Sequence, residues 1–121
     1  MPAGNRDEPR VLGQKKPAAT TRVDCVTIQA NKWATVTSFT ACNQGAAIST
    51  IQVSVAPRGV AHAVGQFIMY NKPIAVGDTI WVTGESLQLQ SGDVIRVYSD
   101  TGDVSFTFAG TLRSATTAKN G

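Results

Sequence analysis

Charge is scarce in this sequence. Asp, Glu, Lys and Arg make up 16% of the 121 residues, and the net charge is +3. Since globular proteins average about a quarter charged residues, uncharged Thr, Ser, Gln and Asn must fill many polar positions here. The small positive excess, much of it in the first 22 residues, does not indicate a nucleic-acid-binding surface. We therefore expect no direct nucleic-acid partner.

Residues suited to catalysis or metal binding are also few. His62 is the one histidine, and the sequence has no HxxxH, CxxC, glycine-rich phosphate loop or GxSxG motif. A zinc site needs three or four ligands, and His62, Cys25 and Cys42 would supply three only if the fold happened to bring them together. We expect no enzyme activity, no metal and no cofactor, with His62 a solvated loop residue.

Long apolar segments are absent as well. No run is long enough to span a membrane, and the first twenty residues, MPAGNRDEPRVLGQKKPAAT, lack the apolar core of a secretory signal. We therefore expect synthesis in a cytoplasm and no membrane partner. Because 42% of the residues are hydrophobic, the chain can still form one domain with a core.

What the sequence does contain is a series of short alternating segments separated by turns. Gly77-Asp78, Gly92-Asp93 and Gly102-Asp103 each precede a run of β-branched and aromatic residues. Gly adopts positive φ and Asp bonds nearby backbone, so the pair suits a tight turn, and a structural role explains these acids. Apolar and polar residues alternate within each run, which predicts half-buried strands. The predicted strands are 22–29, 33–42, 51–56, 67–70, 79–83, 87–90, 94–98 and 104–111.

About eight short antiparallel strands without an amphipathic helix predict an all-β protein, a single β-sandwich or jelly roll. We place this domain at 22–113 and predict a flexible C-terminal tail at 114–121. Residues 1–21, with three prolines, are either a disordered tail or an extended N-terminal arm that orders against a neighbouring subunit. Val11 and Leu12 would anchor such an arm. Because few lysines protect the sandwich edges, we expect other copies to cover edges or faces.

The two cysteines leave three alternatives. If the first two predicted strands formed a hairpin about Asn31, Cys25 would face residue 37, about 17 Å along the strand from Cys42. A disulfide needs Cα atoms within about 7 Å, so that hairpin cannot join them. Cys25 and Cys42 are then free buried thiols, partners within the chain through another topology, or members of an inter-subunit disulfide.

Four segments, taken together, resemble a known family. They are TSFTACN (37–43), ISTIQVSVAP (48–57), FIMYNKPIAVGDTIWVTG (67–84) and LQSGDVIRVYSDTGDVSFTFAG (89–110). Their order resembles small all-β proteins of tailed bacteriophages, often encoded beside capsid and head-to-tail connector genes. In that family a P-x-x-x-GDT segment leads to an apolar strand, and GD-x-IRVY and VSFTF-x-G strands follow. The resemblance covers roughly 23–110 and offers no catalytic motif.

The resemblance implies a non-enzymatic structural protein of the phage virion, made in the host bacterial cytoplasm. It would form a homo-oligomer that decorates the capsid, builds a neck or collar, or forms part of the tail, in contact with capsid, connector or tail proteins, and we favour the collar or the capsid. Inter-subunit bonds through Cys25 and Cys42 would favour a collar. Trp33 and Trp81 are expected to pack in the core or at an interface. If they are instead exposed platforms, the alternative is a carbohydrate-binding or host-attachment module of a tail or fibre.

Overall fold

The alternating segments form eight β-strands in the part of the chain that the computed structural model describes, residues 5–115. These residues contain no α-helix, and two short 3₁₀ turns lie between the fourth and fifth strands. The strands are β1 (Asn5–Lys15), β2 (Val23–Thr27), β3 (Lys32–Asn43), β4 (Ser49–Ala56), β5 (Phe67–Ile74), β6 (Thr79–Leu89), β7 (Val94–Ser99) and β8 (Val104–Ala115).

The strands form two four-stranded antiparallel sheets. Sheet A has the order β1-β8-β3-β6, and sheet B has the order β2-β7-β4-β5. The first half of the chain therefore pairs with the second half in reverse, as β1 with β8, β2 with β7, β3 with β6 and β4 with β5. This pairing, folded over into two layers, is the strand order of a jelly roll. It confirms the predicted fold class.

The core lies between the two sheets and is filled by the inward-facing residue of each alternating pair. Phe106 and Phe108 of β8 are fully buried, and the Phe108 ring stacks on Phe39 of β3 with centroids 4.8 Å apart. Burial of such aromatic and branched side chains is the main stabilising contribution in a sandwich of this kind. The other buried apolar residues include Val26, Val36, Ala41, Ile51, Val53, Ile74, Leu89, Ile95, Val97 and Val104.

The predicted Gly-Asp turns lie between strands. Gly77 and Gly92 have φ of +73° and +88°, a conformation that favours glycine. The Asp93 carboxylate accepts hydrogen bonds from the backbone N–H of Gln90 at 2.8 Å and of Arg58 at 3.0 Å. Asp93 thus ties its own turn to the loop after β4, which is a structural role.

One strand boundary differs from the prediction. The segments predicted as separate strands at 79–83 and 87–90 form the single strand β6, because both halves pair with β3. The register passes from Ser38 opposite Thr83 to Val36 opposite Leu87, so residues 84–86 form a bulge. Gly84 in that bulge interrupts the alternation, and the sequence pattern there resembles a turn.

The segment predicted as an N-terminal arm contains β1. This strand is extended and pairs with β8 of the same chain, with one register shift after Val11. It forms an edge of sheet A, so these residues belong to the sandwich of their own chain. Positions 1–4 of the predicted arm and 116–121 of the predicted tail lie outside the described residues.

Candidate assembly face

The outer face of sheet A is broad and rich in threonine. Alternation along each strand and the register between strands determine which side chains share this face. Thr40, for example, lies between Thr107 of β8 and Trp81 of β6. We call this surface the threonine face and define it as Asp7, Pro9, Val11, Gln14, Trp33, Thr35, Ser38, Thr40, Cys42, Thr79, Trp81, Thr83, Gln88, Ser105, Thr107, Ala109, Thr111 and Arg113.

Among the residues that define the threonine face, charge is limited to one ion pair at its end, and the exposed Lys16 lies at its margin beside Ser105 and Thr107. The Arg113 guanidinium donates from Nε to Oδ1 of Asp7 at 2.8 Å and from Nη2 to Oδ2 at 3.3 Å. These hydrogen bonds lower the pKa of Asp7 and raise that of Arg113. The remaining residues of the face as defined are uncharged. Interface cores are likewise poor in Lys, Glu and Asp and rich in aromatic residues.

Cross-strand hydrogen bonds hold several polar side chains of the face in place. The Gln14 side-chain amide donates to the Thr107 hydroxyl at 3.2 Å, and the Thr35 hydroxyl donates to the Gln88 side-chain carbonyl at 2.9 Å. Such pairs order side chains on neighbouring strands. The result is a surface of short, fixed hydroxyl and amide groups that lose little conformational freedom when a partner covers them.

Both tryptophans lie on the threonine face and not in the core. Trp81 is 70% exposed near the β6 edge of the face, and Trp33 is 39% exposed next to Arg113. Core packing, one of the two roles expected for them, is therefore excluded, and the interface role stays a prediction. Tryptophan is enriched at protein interfaces because its ring is apolar and its indole N–H is a hydrogen-bond donor.

The two proposed arm anchors point in different directions. Leu12 is half-buried and packs against the core between the sheets, so it fixes β1 to its own sandwich. Val11 is 50% exposed and lies on the threonine face opposite Ala109. The structure thus adds Val11 to the apolar side chains of that face.

The two cysteines lie in different sheets, so the hairpin considered above for β2 and β3 does not form. Cys25 lies at the register shift of β2, half-buried against the core. Cys42 lies on the threonine face between Thr79 and Ser105. Both thiols are free, and burial raises the pKa of Cys25 to about 12, against a smaller lowering by Lys15. Within the chain they form no disulfide, and an inter-subunit bond stays a prediction.

A second cluster surrounds the start of β5. The His62 ring packs edge-on against Phe67 with centroids 4.9 Å apart, and Phe67 packs edge-on against Tyr70 at 4.8 Å. The Arg22 guanidinium carbon lies 5.4 Å from the Phe67 centroid and 5.2 Å from that of Tyr98, within the range of cation–π attraction.

The expectation that His62 is solvated is wrong. Its loop folds back onto sheet B because Arg96 donates to the backbone carbonyls of Val60 at 2.8 Å and Gly59 at 3.2 Å. His62 becomes half-buried, with Nδ1 buried and without a hydrogen-bond partner. Burial, and then the nearby Arg22 and Arg96 guanidiniums, lower its pKa.

Two further features are absent from the described part of the chain. No three residues among His, Cys, Asp and Glu lie together as a metal site there. Within 5–115, no helix has the length and apolar character needed to cross a membrane.

No family model matches the sequence, and no curated protein matches it. Among solved structures, the chain is similar to a protein of Bacillus endospore appendages, which form "a novel family of disulfide-linked pili". The identity is 12% over 97% of this chain and 93% of that chain, with a TM-score of 0.56. It is also similar to a chain of infectious bursal disease virus strain Gx, with 8% identity, a TM-score of 0.52, and coverage of 97% of this chain and 34% of that one.

A pentameric capsid protein from metagenomic phage sequences matches at 16% identity, over 93% of this chain and 62% of that one. Its TM-score of 0.24 does not establish a shared fold. At the identities of the first two matches, similarity establishes the fold alone. The chain is a jelly-roll β-sandwich, similar in fold to these two chains.

Proposed function

We propose that this chain is a non-enzymatic structural subunit of a phage virion that assembles with copies of itself, as a neck or collar component or as a capsid decoration protein. The sequence resemblance supplies the phage context, and the jelly-roll fold agrees with it. The other partners in this proposal are capsid, connector or tail proteins. The observation that carries the proposal is the threonine face.

The threonine face is large enough for a specific interface. Four strands about 4.8 Å apart and about 11 residues long, at about 3.3 Å per residue, give a face of about 700 Å². Specific interfaces bury about 600–1,000 Å² per partner, so the face falls within this range. Because nearly every side chain on the face is neutral, covering it desolvates little charge. Trp81, Trp33 and Val11 supply the apolar area that favours association.

A charge introduced at the centre of the face tests this proposal. Thr107→Lys places an ammonium group between Gln14 and Thr40, and Thr27→Lys makes the same change at an exposed position of β2 in sheet B. We expect the unmodified protein and Thr27→Lys to form oligomers in sedimentation velocity at low micromolar concentration, where weaker contacts do not associate, and Thr107→Lys to stay monomeric there with an unchanged urea midpoint. Oligomers formed equally well by Thr107→Lys would contradict the proposed interface, and a monomeric unmodified protein at high concentration would contradict self-assembly.

Inter-subunit disulfides belong to the same proposal. Cys42 lies on the threonine face, where the thiol of a neighbouring copy can approach, whereas Cys25 needs local opening of β2. Oxidation of two thiols to a disulfide would consume molecular oxygen or a small-molecule disulfide after assembly. Protein taken from particles, alkylated first and then denatured without reductant, should run as dimers, or as longer ladders where Cys25 has also reacted, and these should collapse to monomers on reduction. A clean monomer carrying two alkyl groups would contradict covalent linkage.

A carbohydrate-binding or host-attachment role is the second candidate, and the exposure of Trp81 favours it. The Trp81 ring lies next to the hydroxyl of Thr40, so a sugar stacked on the ring would find a hydrogen-bonding group beside it. Binding to a glycan array that is lost in Trp81→Ala but kept in Thr27→Lys would support this role. Absence of any glycan binding would leave Trp81 to the assembly interface.

A further inference from the structure

We propose that a second copy of this chain pairs edge to edge with β6 over residues 79–83, as an antiparallel strand related by a two-fold axis. The paired sheets A then form one eight-stranded sheet with a continuous outer face. This inference rests on the proposed function, because it specifies how copies of the chain meet. The described edges of the sandwich differ in how well they are protected against pairing with another strand.

The sandwich has four edge strands, β1 and β6 in sheet A and β2 and β5 in sheet B. Sheet edges present unpaired backbone groups, and proteins protect them with proline, charge, bulges or short strands. β1 carries Pro9, a bulge after Val11, and the charged Glu8 and Arg10. Its edge is therefore a poor template for another strand.

Both edges of sheet B are protected too. β2 is only five residues long, has a bulge, and carries Asp24 in an ion pair with Arg96. β5 carries Lys72 and Pro73, and Asn71 has a φ of +52°, which breaks the extended conformation. Neither edge offers a regular run of backbone donors and acceptors.

The first half of β6 has none of these protections. Thr79, Ile80, Trp81, Val82 and Thr83 are all β-branched or aromatic, and all are uncharged. They pair with β3 without a register shift. The segment ends at the bulge of residues 84–86, which limits a regular pairing to these five residues.

An apolar groove runs beside this edge, in the open seam between β6 and β5. It has a volume of about 370 Å³ and is lined mainly by Val36, Phe39, Ile68, Met69, Val82 and Leu87. Ile68 is 48% exposed at its rim. A copy seated on the β6 edge would also cover this groove, so the edge and its apolar surroundings form one continuous surface.

The edge is self-complementary in one register. With the axis at Trp81, Thr79 of one copy faces Thr83 of the second copy, Ile80 faces Val82, and the two Trp81 rings face each other. Odd-numbered residues face odd-numbered residues and even face even, so opposed side chains lie on the same face of the sheet. The core-facing side chains of one copy therefore continue those of the other. Residues 79–83 carry no charge, so no like charges are directly opposed within the paired segment, and Asp78 just outside it faces Gly84.

The area available predicts the strength of the pairing. Trp81, at 70% exposure, offers on the order of 150 Å². The area of Trp81, the backbone edge and the groove together is still below the roughly 800 Å² per partner of a stable dimer. We therefore expect a dimer that forms at tens to hundreds of micromolar and is reinforced at the high local concentration of an assembly.

Cysteine cross-linking tests the register directly. In a Cys25→Ser/Cys42→Ser background, Thr79→Cys and Thr83→Cys are prepared separately, one of them labelled with ¹⁵N. Each variant by itself, and the mixture of the two variants, is incubated with glutathione disulfide. The glutathione disulfide is reduced as two protein thiols are oxidised to a disulfide. Opposed positions have Cβ atoms about 5 Å apart, whereas Thr79 of the two copies lie about 13 Å apart. We expect the mixed dimer to form at least tenfold faster than either homodimer.

A matched variant separates this inference from the proposed function. Thr107→Cys in the same background lies at the centre of the threonine face, away from the edge. Cross-linking of Thr107→Cys without a Thr79–Thr83 product would mean that copies meet only face to face, which overturns edge pairing and leaves self-assembly intact. Equal cross-linking of the mixture and the single variants would also overturn it. A monomer at all concentrations, without any product, would overturn both.

Discussion

The two thiols should differ strongly in reactivity, because Cys25 is half-buried against the core and Cys42 lies on the threonine face. Burial raises the pKa of Cys25 to about 12. At pH 8 its thiolate fraction is then about 10⁻⁴, compared with roughly a quarter for a thiol with a pKa of about 8.5. The ionised fraction of Cys25 is therefore lower by about three orders of magnitude.

Intrinsic nucleophilicity recovers part of this difference. A thiolate of higher pKa attacks faster, with a Brønsted coefficient of about 0.4–0.5, so a pKa higher by about 3.5 regains roughly 40-fold. The net expectation is that Cys25 reacts about 50-fold slower than an ordinary exposed thiol, before any hindrance by the packing around it. Oxidation of Cys25 in an assembly should be slow for the same reason.

Single-cysteine variants measure this difference. Cys25→Ser retains only Cys42, and Cys42→Ser retains only Cys25, so the release of thionitrobenzoate from DTNB at pH 8 reports one thiol at a time. Because Cys42 is itself half-buried, we expect it to react at least tenfold faster than Cys25 in the folded protein, and the two rates to converge in 6 M guanidinium. Rates within fivefold of each other in the folded state, with circular dichroism unchanged, would refute the burial argument.

The same burial should make stability sensitive to alkaline pH. The pKa of Cys25 is raised from 9.0 to about 12 on folding, so above pH 9 the unfolded chain has lost a proton that the folded chain retains. The free energy of unfolding should therefore fall as pH rises from 9 to 11, by about 1–2 kcal/mol after allowing for partial exposure. Urea unfolding should show this loss in the unmodified protein and not in Cys25→Ser. An identical pH dependence in both would contradict the raised pKa.

Three substitutions should separate the contributions to stability, each measured by urea unfolding. Gly110→Ala should destabilise by about 3 kcal/mol, because its Cβ would lie 1.9 Å from the Thr35 backbone oxygen, and an unchanged midpoint would contradict that close approach. Phe106→Ala should destabilise by about 3–5 kcal/mol, since Phe106 is fully buried, and a loss below 1 kcal/mol would place it outside the core. Arg113→Ala should leave the unfolding midpoint unchanged, because its ion pair with Asp7 is exposed, and a large loss would show that the pair is structural.

The strands of this fold are readable from the sequence because alternation and turn chemistry are local. Val104, Phe106 and Phe108 alternate with polar residues, and these three are buried. The extent of β6 was harder to predict, because Gly84 and the following residues look like a turn and only pairing with β3 joins the two halves. Bulges are defined by the partner strand, which is distant in the chain.

The threonine face could be only partly predicted. Low charge and abundant threonine are visible in the composition, and Trp81 and Cys42 each lie on a predicted strand. Their common face depends on β8 lying between β1 and β3 in sheet A, which no local pattern reveals. The prediction that His62 is solvated was wrong for a related reason. The contact that folds its loop back onto sheet B comes from Arg96, which is distant in the chain.

The pairing of β1 with β8 has a consequence for how the chain folds during its synthesis. Asn5 pairs with Ala115, so the first described strand cannot complete its ladder until residue 115, which is 110 residues later, has left the ribosome. At about 5–20 residues per second this delay is roughly 5–20 s, and non-local pairings of this kind also fold slowly. During that interval Leu12 and the backbone of β1 are open to the β8 strands of other nascent chains. Dense translation of one message would therefore favour exchange of this strand between copies, and slow, dilute synthesis would favour the closed monomer.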